Sequence, residues 1–230
     1  DNTVELIEEF CNKSSLPVEL IKLSVNKGIA NARNYGLNHS TTKYVLFIDG
    51  DDRLSPFIVE KLYGEAIRDS NIMAVTCWSQ FIDMEGKKIA GGTFLGVRSK
   101  DEFNQKAAGS KLFFMPIHTL FNRQIALSVG GFNTFGFPEG RPRYQDFCEE
   151  LDLWTRMSDK YVEGKYFITV PEVLYYYRKN NGLSSNHFNM ILKMRYTKHN
   201  VRRRRKGMKD ETFSEYYASL SPAELKDMKT

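Results

Sequence analysis

The order of segments predicts an α/β fold: a mixed, mostly parallel sheet flanked by helices, followed by a basic helical C-terminal extension. Three observations carry this expectation. Strand-like and helix-like segments alternate through the first two thirds of the 230 residues. An apolar run at 44–48 ends in Asp49-Gly50-Asp51-Asp52, as a buried strand does when it delivers polar side chains to the edge of an open sheet. After residue 186 the strand-like segments stop and basic residues accumulate.

Taken in order, residues 4–10 read as a helix, 20–25 as a short strand and 28–37 as a helix opened by Gly28. Residues 44–49 read as a buried strand. Ser55 and Pro56 supply an N-cap and a first helical residue, predicting a helix to about Asp69. Residues 72–82 and 112–121 read as strands, 130–143 as a Gly- and Pro-rich loop, and 149–160 as a helix. A strand over 166–178 is expected to break at Pro171. Residues 188–205 form one long basic helix, and Ser221-Pro222-Ala223-Glu224 is a capping box for a short last helix. The division is therefore an α/β domain over 1–186, for which a catalytic role is argued below, and an extension over 187–230.

Bulk properties exclude several classes. Hydrophobic residues make up 41% and charged residues 27%, values of a folded chain with a core. No apolar run approaches a membrane span, and no signal-peptide pattern opens the chain. Three scattered cysteines without a C-x-x-C pair suit a reducing compartment and a cytoplasmic location, and argue against structural zinc. The net charge of +5 is local. Residues 193–209 hold nine Lys or Arg and no acid, and without those nine the chain is mildly acidic.

Chemistry concentrates at Asp49, Asp51 and Asp52. Like charges this close repel, so folding alone gains nothing from them, whereas a hard cation such as Mg²⁺ or Mn²⁺ takes one or two carboxylates plus phosphate oxygens. Some twenty residues earlier stands Asn26-Lys27-Gly28-Ile29-Ala30-Asn31-Ala32-Arg33-Asn34-Tyr35-Gly36. A helix N-terminus there favours phosphate, and Arg33 adds a charged donor.

These two stretches together resemble the core signature of family 2 glycosyltransferases. Val129-Gly130-Gly131-Phe132-Asn133 resembles that family's Gly-Gly-Phe turn. Cys148-Glu149-Glu150-Leu151-Asp152-Leu153-Trp154-Thr155-Arg156 resembles its acidic helix start, and Leu174-Tyr175-Tyr176-Tyr177-Arg178 with Ser184-Ser185 its closing strand and loop. The resemblance covers residues 1–186. Asp1-Asn2-Thr3 is similar to the end of an Asp-x-Ser-x-Asp-x-Thr stretch, which leads us to expect a first strand and part of the base pocket ahead of residue 1.

The resemblance implies a GT-A fold and an inverting, metal-assisted enzyme. It would move a sugar from a nucleoside-diphosphate sugar, UDP-linked by family weight, to a hydroxyl of a glycan or lipid-linked acceptor. It implies Asp51 and Asp49 as ligands of Mn²⁺ or Mg²⁺, with Asp49 also on the ribose and Asp52 supporting the donor site. Lys27, Gly28 and Arg33 would lie along the nucleotide and His118 in the donor-sugar pocket. His187 is a candidate further metal ligand, with a plain surface histidine as the alternative; Asn180 stands where some relatives carry a histidine. The catalytic base aligns with Glu150, one methylene longer than the usual Asp, with Glu149 and Asp146 as alternatives. Asp152 and Arg156, four apart, read as a surface ion pair. The basic stretch 193–209 reads as a contact for an anionic membrane or as a solvated helix, without specific nucleic-acid recognition. Rival readings are a sugar-nucleotide pyrophosphorylase and a catalytically inactive binding module.

Overall fold

The computed structural model describes residues 2–179 and 186–229. Its elements are α1 (Thr3–Lys13), α2 (Ile29–His39), β1 (Tyr44–Val45), β2 (Arg53–Leu54), α3 (Ile58–Ala66), β3 (Ile72–Ile82), β4 (Lys88–Thr93), α4 (Lys100–Ala108), β5 (Leu120–Asn122), α5 (Arg123–Ser128), α6 (Glu149–Met157), β6 (Tyr166–Arg178), α7 (His187–Arg204), α8 (Phe213–Ser219) and α9 (Pro222–Asp227). Short 3₁₀ turns sit at Tyr144–Asp146 and Ser158–Glu163.

The sheet runs β1-β5-β3-β6-β2, with β4 beside the second half of β3. It is mixed, as expected, but not mostly parallel. Among the described residues only β3 and β6 pair in parallel; β1–β5, β3–β5, β3–β4 and β2–β6 are antiparallel. A parallel pair needs a long crossover, and the chain from β3 to β6 makes one through α4, α5 and α6, whereas β3 and β4 join by a tight turn. Opposite Cys77 and Trp78, β6 steps from Val170 to Val173, so Pro171 sits in a bulge and the strand continues through it.

Burial explains why the central strands were readable. β3 begins with six consecutive buried residues, covered by Ile58, Leu62 and Ala66 of α3 at helical spacing and by Phe103 of α4 against Phe113 and Phe167. Where the sequence reading fails, another interaction takes the backbone. Residues 112–119 do not pair as a strand: Pro116 cannot donate to a ladder, and the Met115 carbonyl accepts from the Trp154 indole N–H at 2.9 Å. Residues 20–25 form no strand, and Leu23 and Val25 stay exposed. The Ser55 N–H still bonds the Leu174 carbonyl at 2.9 Å, so α3 starts two residues later than the Ser-Pro signal suggests.

The C-terminal helices pack on the rest through a second small core of Leu192, Tyr196, Phe213, Tyr216 and Met228, joined by Phe137 and Tyr144 from the loop before α6. The predicted capping box forms here: Ser221 and Glu224 bond reciprocally at α9, with Pro222 at its start. No helix among the described residues is long and apolar enough to cross a membrane.

Candidate active site

Two cavities adjoin at the N-terminus of α2 and share Ile29 and Asp146 in their walls. The first, about 330 Å³, is acidic: Asp49, Asp51 and Asp52 line it with Arg33, His118, Glu149 and Glu150. The second, about 590 Å³, is lined by Lys27, Gly28, Arg141 and Arg143 together with Leu23 and Val25. Sequence reasoning treated the predicted donor residues as one set; the fold splits them between two compartments.

The acidic turn is shaped from both sides. The Asp52 N–H bonds the Asp49 carbonyl at 3.2 Å, closing the turn. Asp52 accepts from the Tyr175 hydroxyl at 2.6 Å and the Arg178 N–H at 2.7 Å, and the Arg178 guanidinium also holds the Asp51 carbonyl at 2.6 Å. Burial pushes the Asp52 carboxyl above its usual range, opposed by these two hydrogen bonds. Asp52 therefore ties the turn to β6, and its oxygens are already engaged by protein.

Arg33 is the hinge of the charges. Its guanidinium bonds Asp49 Oδ1 at 2.8 Å and Glu149 Oε1, bringing together α2, the acidic turn and α6. Glu149 is only 5% exposed. Burial raises its carboxyl well above the usual carboxylate range, the Glu150 charge adds to this, and Arg33 opposes it. Glu150, one residue on, is half-exposed and lines the acidic cavity. Cys148, the N-cap of α6, lies in the left-handed region at φ 48°, an uncommon conformation for a side-chain-bearing residue. Both glutamates line the cavity from this turn, Glu149 buried on Arg33 and Glu150 half-exposed.

Asp146, the other candidate base, lines both cavities and bonds the first turn of α2. Its Oδ1 accepts from the Ala30 N–H at 3.0 Å, so it caps α2 from a distant segment. Gly28 is required by this cap: its φ is 93°, and an added Cβ would lie 2.1 Å from Asp146 Oδ2. The Asn-Tyr-Gly and Gly-Gly-Phe motifs meet likewise. The Asn34 side chain donates to the Phe132 carbonyl at 2.7 Å and accepts from the Phe132 N–H at 2.8 Å, and Gly131, at φ 64°, leaves room for it.

His118 is buried and stacks on Tyr175, ring centroids 3.6 Å apart and 12° from parallel. Burial pulls its pKa down to about 3, so it is neutral at physiological pH. An unfolded histidine titrates near 6.5, so the unfolded chain takes a proton that the native chain refuses, and stability falls as pH drops below about 6.5. A His118→Phe variant, which preserves stacking, is expected to show a flatter loss of Tm between pH 7 and 5 than the parent. Parallel curves from thermal melts would remove this assignment.

The structure also corrects two surface readings, of the Asp152–Arg156 pair and of the basic stretch, and leaves His187 at the surface. Asp152 and Arg156 are a buried pair at 2.8 Å, and Arg156 holds the Val129 carbonyl and, at 2.7 Å, the Gly131 carbonyl, bracing the Gly-Gly turn. Burial alone would raise the Asp152 carboxyl, but Arg156 and Lys193 hold it low. His187 is exposed at the first turn of α7 and is not in the wall of the acidic cavity. The stretch 193–209 is not a free basic face. Lys193 is fully buried over the Phe137 ring at 4.4 Å, Arg204 and Arg205 both bond Asp159, and Arg203 pairs with Glu211 at 2.7 Å. Arg202, Lys206 and Lys209 remain exposed. Asn180 and the Ser184-Ser185 loop lie outside the described residues.

Among the described residues, no three His, Cys, Asp or Glu side chains converge to hold a metal by themselves. Asp49 and Asp51 instead offer the sparse carboxylate set that Mg²⁺ or Mn²⁺ completes with phosphate oxygens, and the residues fit that kind of site.

A sequence model of Glycosyl transferase family 2 matches residues 1–130, more than half of the chain. The chain belongs to this family. An uncharacterized glycosyltransferase of Haemophilus influenzae is 24% identical over 181 residues, covering 78% of this chain and 60% of that protein. The poly-β-1,6-N-acetyl-D-glucosamine synthase of Staphylococcus epidermidis is 26% identical over 136 residues, 58% of this chain and 32% of the synthase. Among solved structures, a mannosyltransferase of Pyrobaculum calidifontis in complex with GDP-Man and Mn²⁺ superposes with a TM-score of 0.55 at 16% identity, covering 99% of this chain and 55% of the other. S. aureus TarS residues 1–349 with UDP-GlcNAc gives 0.56 at 18% identity, covering 86% and 53%. At these identities the structures establish a shared GT-A fold. The family 2 chain spans 60% or less of each of these relatives.

Sequence reasoning missed Arg141, Arg143, Tyr175, Arg178 and Lys193 as contributors to the site. Only Tyr175 and Arg178 lay in a recognised motif; the others come from a loop and a helix whose approach is set by packing.

Proposed function

We propose that this chain transfers a glycosyl unit from a nucleoside-diphosphate sugar to an acceptor hydroxyl with inversion, and that Glu150 is the general base. The observation that carries this reading is the division of labour at the start of α6. Glu149 is buried on Arg33, while Glu150 faces the cavity that Asp49 and Asp51 line. A base must reach the proton it removes, which favours the half-exposed Glu150 over Glu149, whose carboxylate lies buried against Arg33 in the same wall. Asp146 is occupied as a helix cap.

The nucleoside is assigned to the Lys27–Gly28 cavity, where Lys27, Arg141 and Arg143 supply positive charge, with the diphosphate beside Asp49 and Asp51 and the sugar toward His118. In the reaction the acceptor oxygen forms its bond to the anomeric carbon as the bond from that carbon to the diphosphate oxygen breaks. The acceptor proton passes to Glu150, and the single displacement inverts the centre. Asp49 and Asp51 would hold Mn²⁺ or Mg²⁺, which when bound offsets the charge gathering on the departing diphosphate. The GDP-Man and Mn²⁺ bound by the Pyrobaculum enzyme and the UDP-GlcNAc bound by TarS support this donor class. The acceptor is assigned as a glycan or a lipid-linked glycan.

Calorimetric titration of UDP and GDP with and without Mn²⁺ tests the donor site. Binding of one nucleotide is expected to strengthen with Mn²⁺, and Asp51→Ala is expected to remove that metal-dependent gain while leaving the fold intact. Equal affinities with and without metal, in parent and variant alike, would rule out the Asp51 assignment.

A further inference from the structure

A third cavity, about 410 Å³, lies outside the donor compartments, and one chain segment runs from its wall into the wall of the acidic cavity. Residues 111–115 line it, and Pro116, Ile117 and His118 directly continue into the wall of the acidic cavity. This wall is fixed to the catalytic helix: Trp154 of α6, fully buried, donates to the Met115 carbonyl at 2.9 Å. The cavity has two chemical characters. Trp78, Phe94 and Phe114 form an aromatic side, with Phe94 and Phe114 48% and 47% exposed. Arg98, Lys106 and Lys111 line it against a single acid, Glu102. Lys106 pairs with Glu102 at 2.7 Å, and Arg98 stacks over Trp78 at 5.5 Å; Lys111 is exposed and has no ion-pair partner among the described residues. Positive charge is therefore in excess.

Resting on the transferase reading above, we propose that this cavity is a subsite for a sugar unit of an anionic acceptor glycan, one carrying carboxylate or phosphate groups. The C–H faces of the sugar pack on the exposed rings of Phe94 and Phe114, and its charged group meets Lys111 and Arg98. Because the 111–118 segment passes from this cavity to the acidic one, a chain seated here would follow it toward Glu150. A glycan is favoured over a membrane surface because the aromatic rings line a concavity, where a flat bilayer cannot follow them.

The two tryptophans make the test selective, since Trp154 is fully buried and Trp78 alone opens on the cavity. Acrylamide quenching of tryptophan emission is followed with tetragalacturonate, its neutral methyl ester, mannose 6-phosphate and mannose. The charged probes are expected to shield Trp78 more than their neutral counterparts, and Lys111→Glu is expected to weaken their binding by about tenfold. Lys111 is exposed and outside the donor cavities, so Mn²⁺-dependent nucleotide binding should be unchanged in that variant. Phe94→Ala is expected to lower the affinity for both charged and neutral sugars. Nucleotide binding without any shielding of Trp78 by charged probes overturns this proposal alone. Shielding without nucleotide binding supports the glycan site and overturns the transferase reading on which its acceptor role rests. Lys111-dependent sedimentation with phosphatidylglycerol vesicles, again without shielding by sugars, would make the cavity a lipid-docking face and overturn the proposal.

Discussion

Glu150→Gln is expected to lower glycosyl transfer by about 10²–10⁴-fold, the range lost when a positioned base is removed, while nucleotide binding stays at the parental level. The substitution keeps the size and the hydrogen-bonding atoms of the side chain and removes only the capacity to take a proton. Glu149 also lines the cavity, but its carboxylate is buried and held by Arg33, so it is the poorer substitute. Glu150→Asp sharpens the test. It restores the shorter side chain expected from the family pattern but withdraws the carboxylate by one methylene in a site shaped around Glu. Displacements of about 1 Å cost on the order of a hundredfold, so an intermediate rate is expected. Full activity in the Gln variant would move the base elsewhere. Loss of nucleotide binding in the same variant would show a structural rather than a chemical role.

Arg33→Met is expected to destabilise the fold by about 3–5 kcal/mol at neutral pH, the usual cost of leaving one partner of a buried pair uncompensated. Most of this penalty comes from Glu149, buried at 5% exposure; the half-exposed Asp49 can turn to water. The penalty should depend on pH with a definite sign. Without Arg33 the raised Glu149 pKa rises further, so the folded variant binds a proton more tightly than the unfolded chain. Its stability is then present at low pH and lost as pH climbs through the native Glu149 pKa. Urea unfolding of Arg33→Met at pH 5 and pH 8 should show the larger deficit at pH 8, and adding Glu149→Gln should recover much of it. An equal deficit at both pH values, unrelieved by the second substitution, would exclude an unpaired Glu149 as its cause.

Both experiments depend on residues whose types were visible in the chain and whose tasks were not. The acidic turn could be read because three carboxylates crowded at the end of a strand-like run call for partners that offset their repulsion; the fold itself supplies Arg33 to Asp49. The family signature gave the order of the motifs and, through the shifted Glu-Glu pair, the residue to test. The central strand at 72–82 and the capping box at Ser221 were readable for the same reason: local pattern and local geometry coincide there, so neighbours in sequence suffice.

What only tertiary structure decided was which partner each polar group met. Asp52 belongs to Tyr175 and Arg178, Asp146 to the first turn of α2, and Arg156 to the Gly-Gly turn. Each bond joins segments 25 to 126 residues apart. No helical or strand period reports such distances. The basic run at 202–205 shows the same limit. Read alone it is a charged surface, yet burial of α7 against α6 makes ion pairs to Asp159 and Glu211 more favourable than solvent for three of its four arginines. Hydrophobic periodicity fixes which face of an element turns inward; it leaves open which charges arrive opposite, because that depends on how whole elements dock.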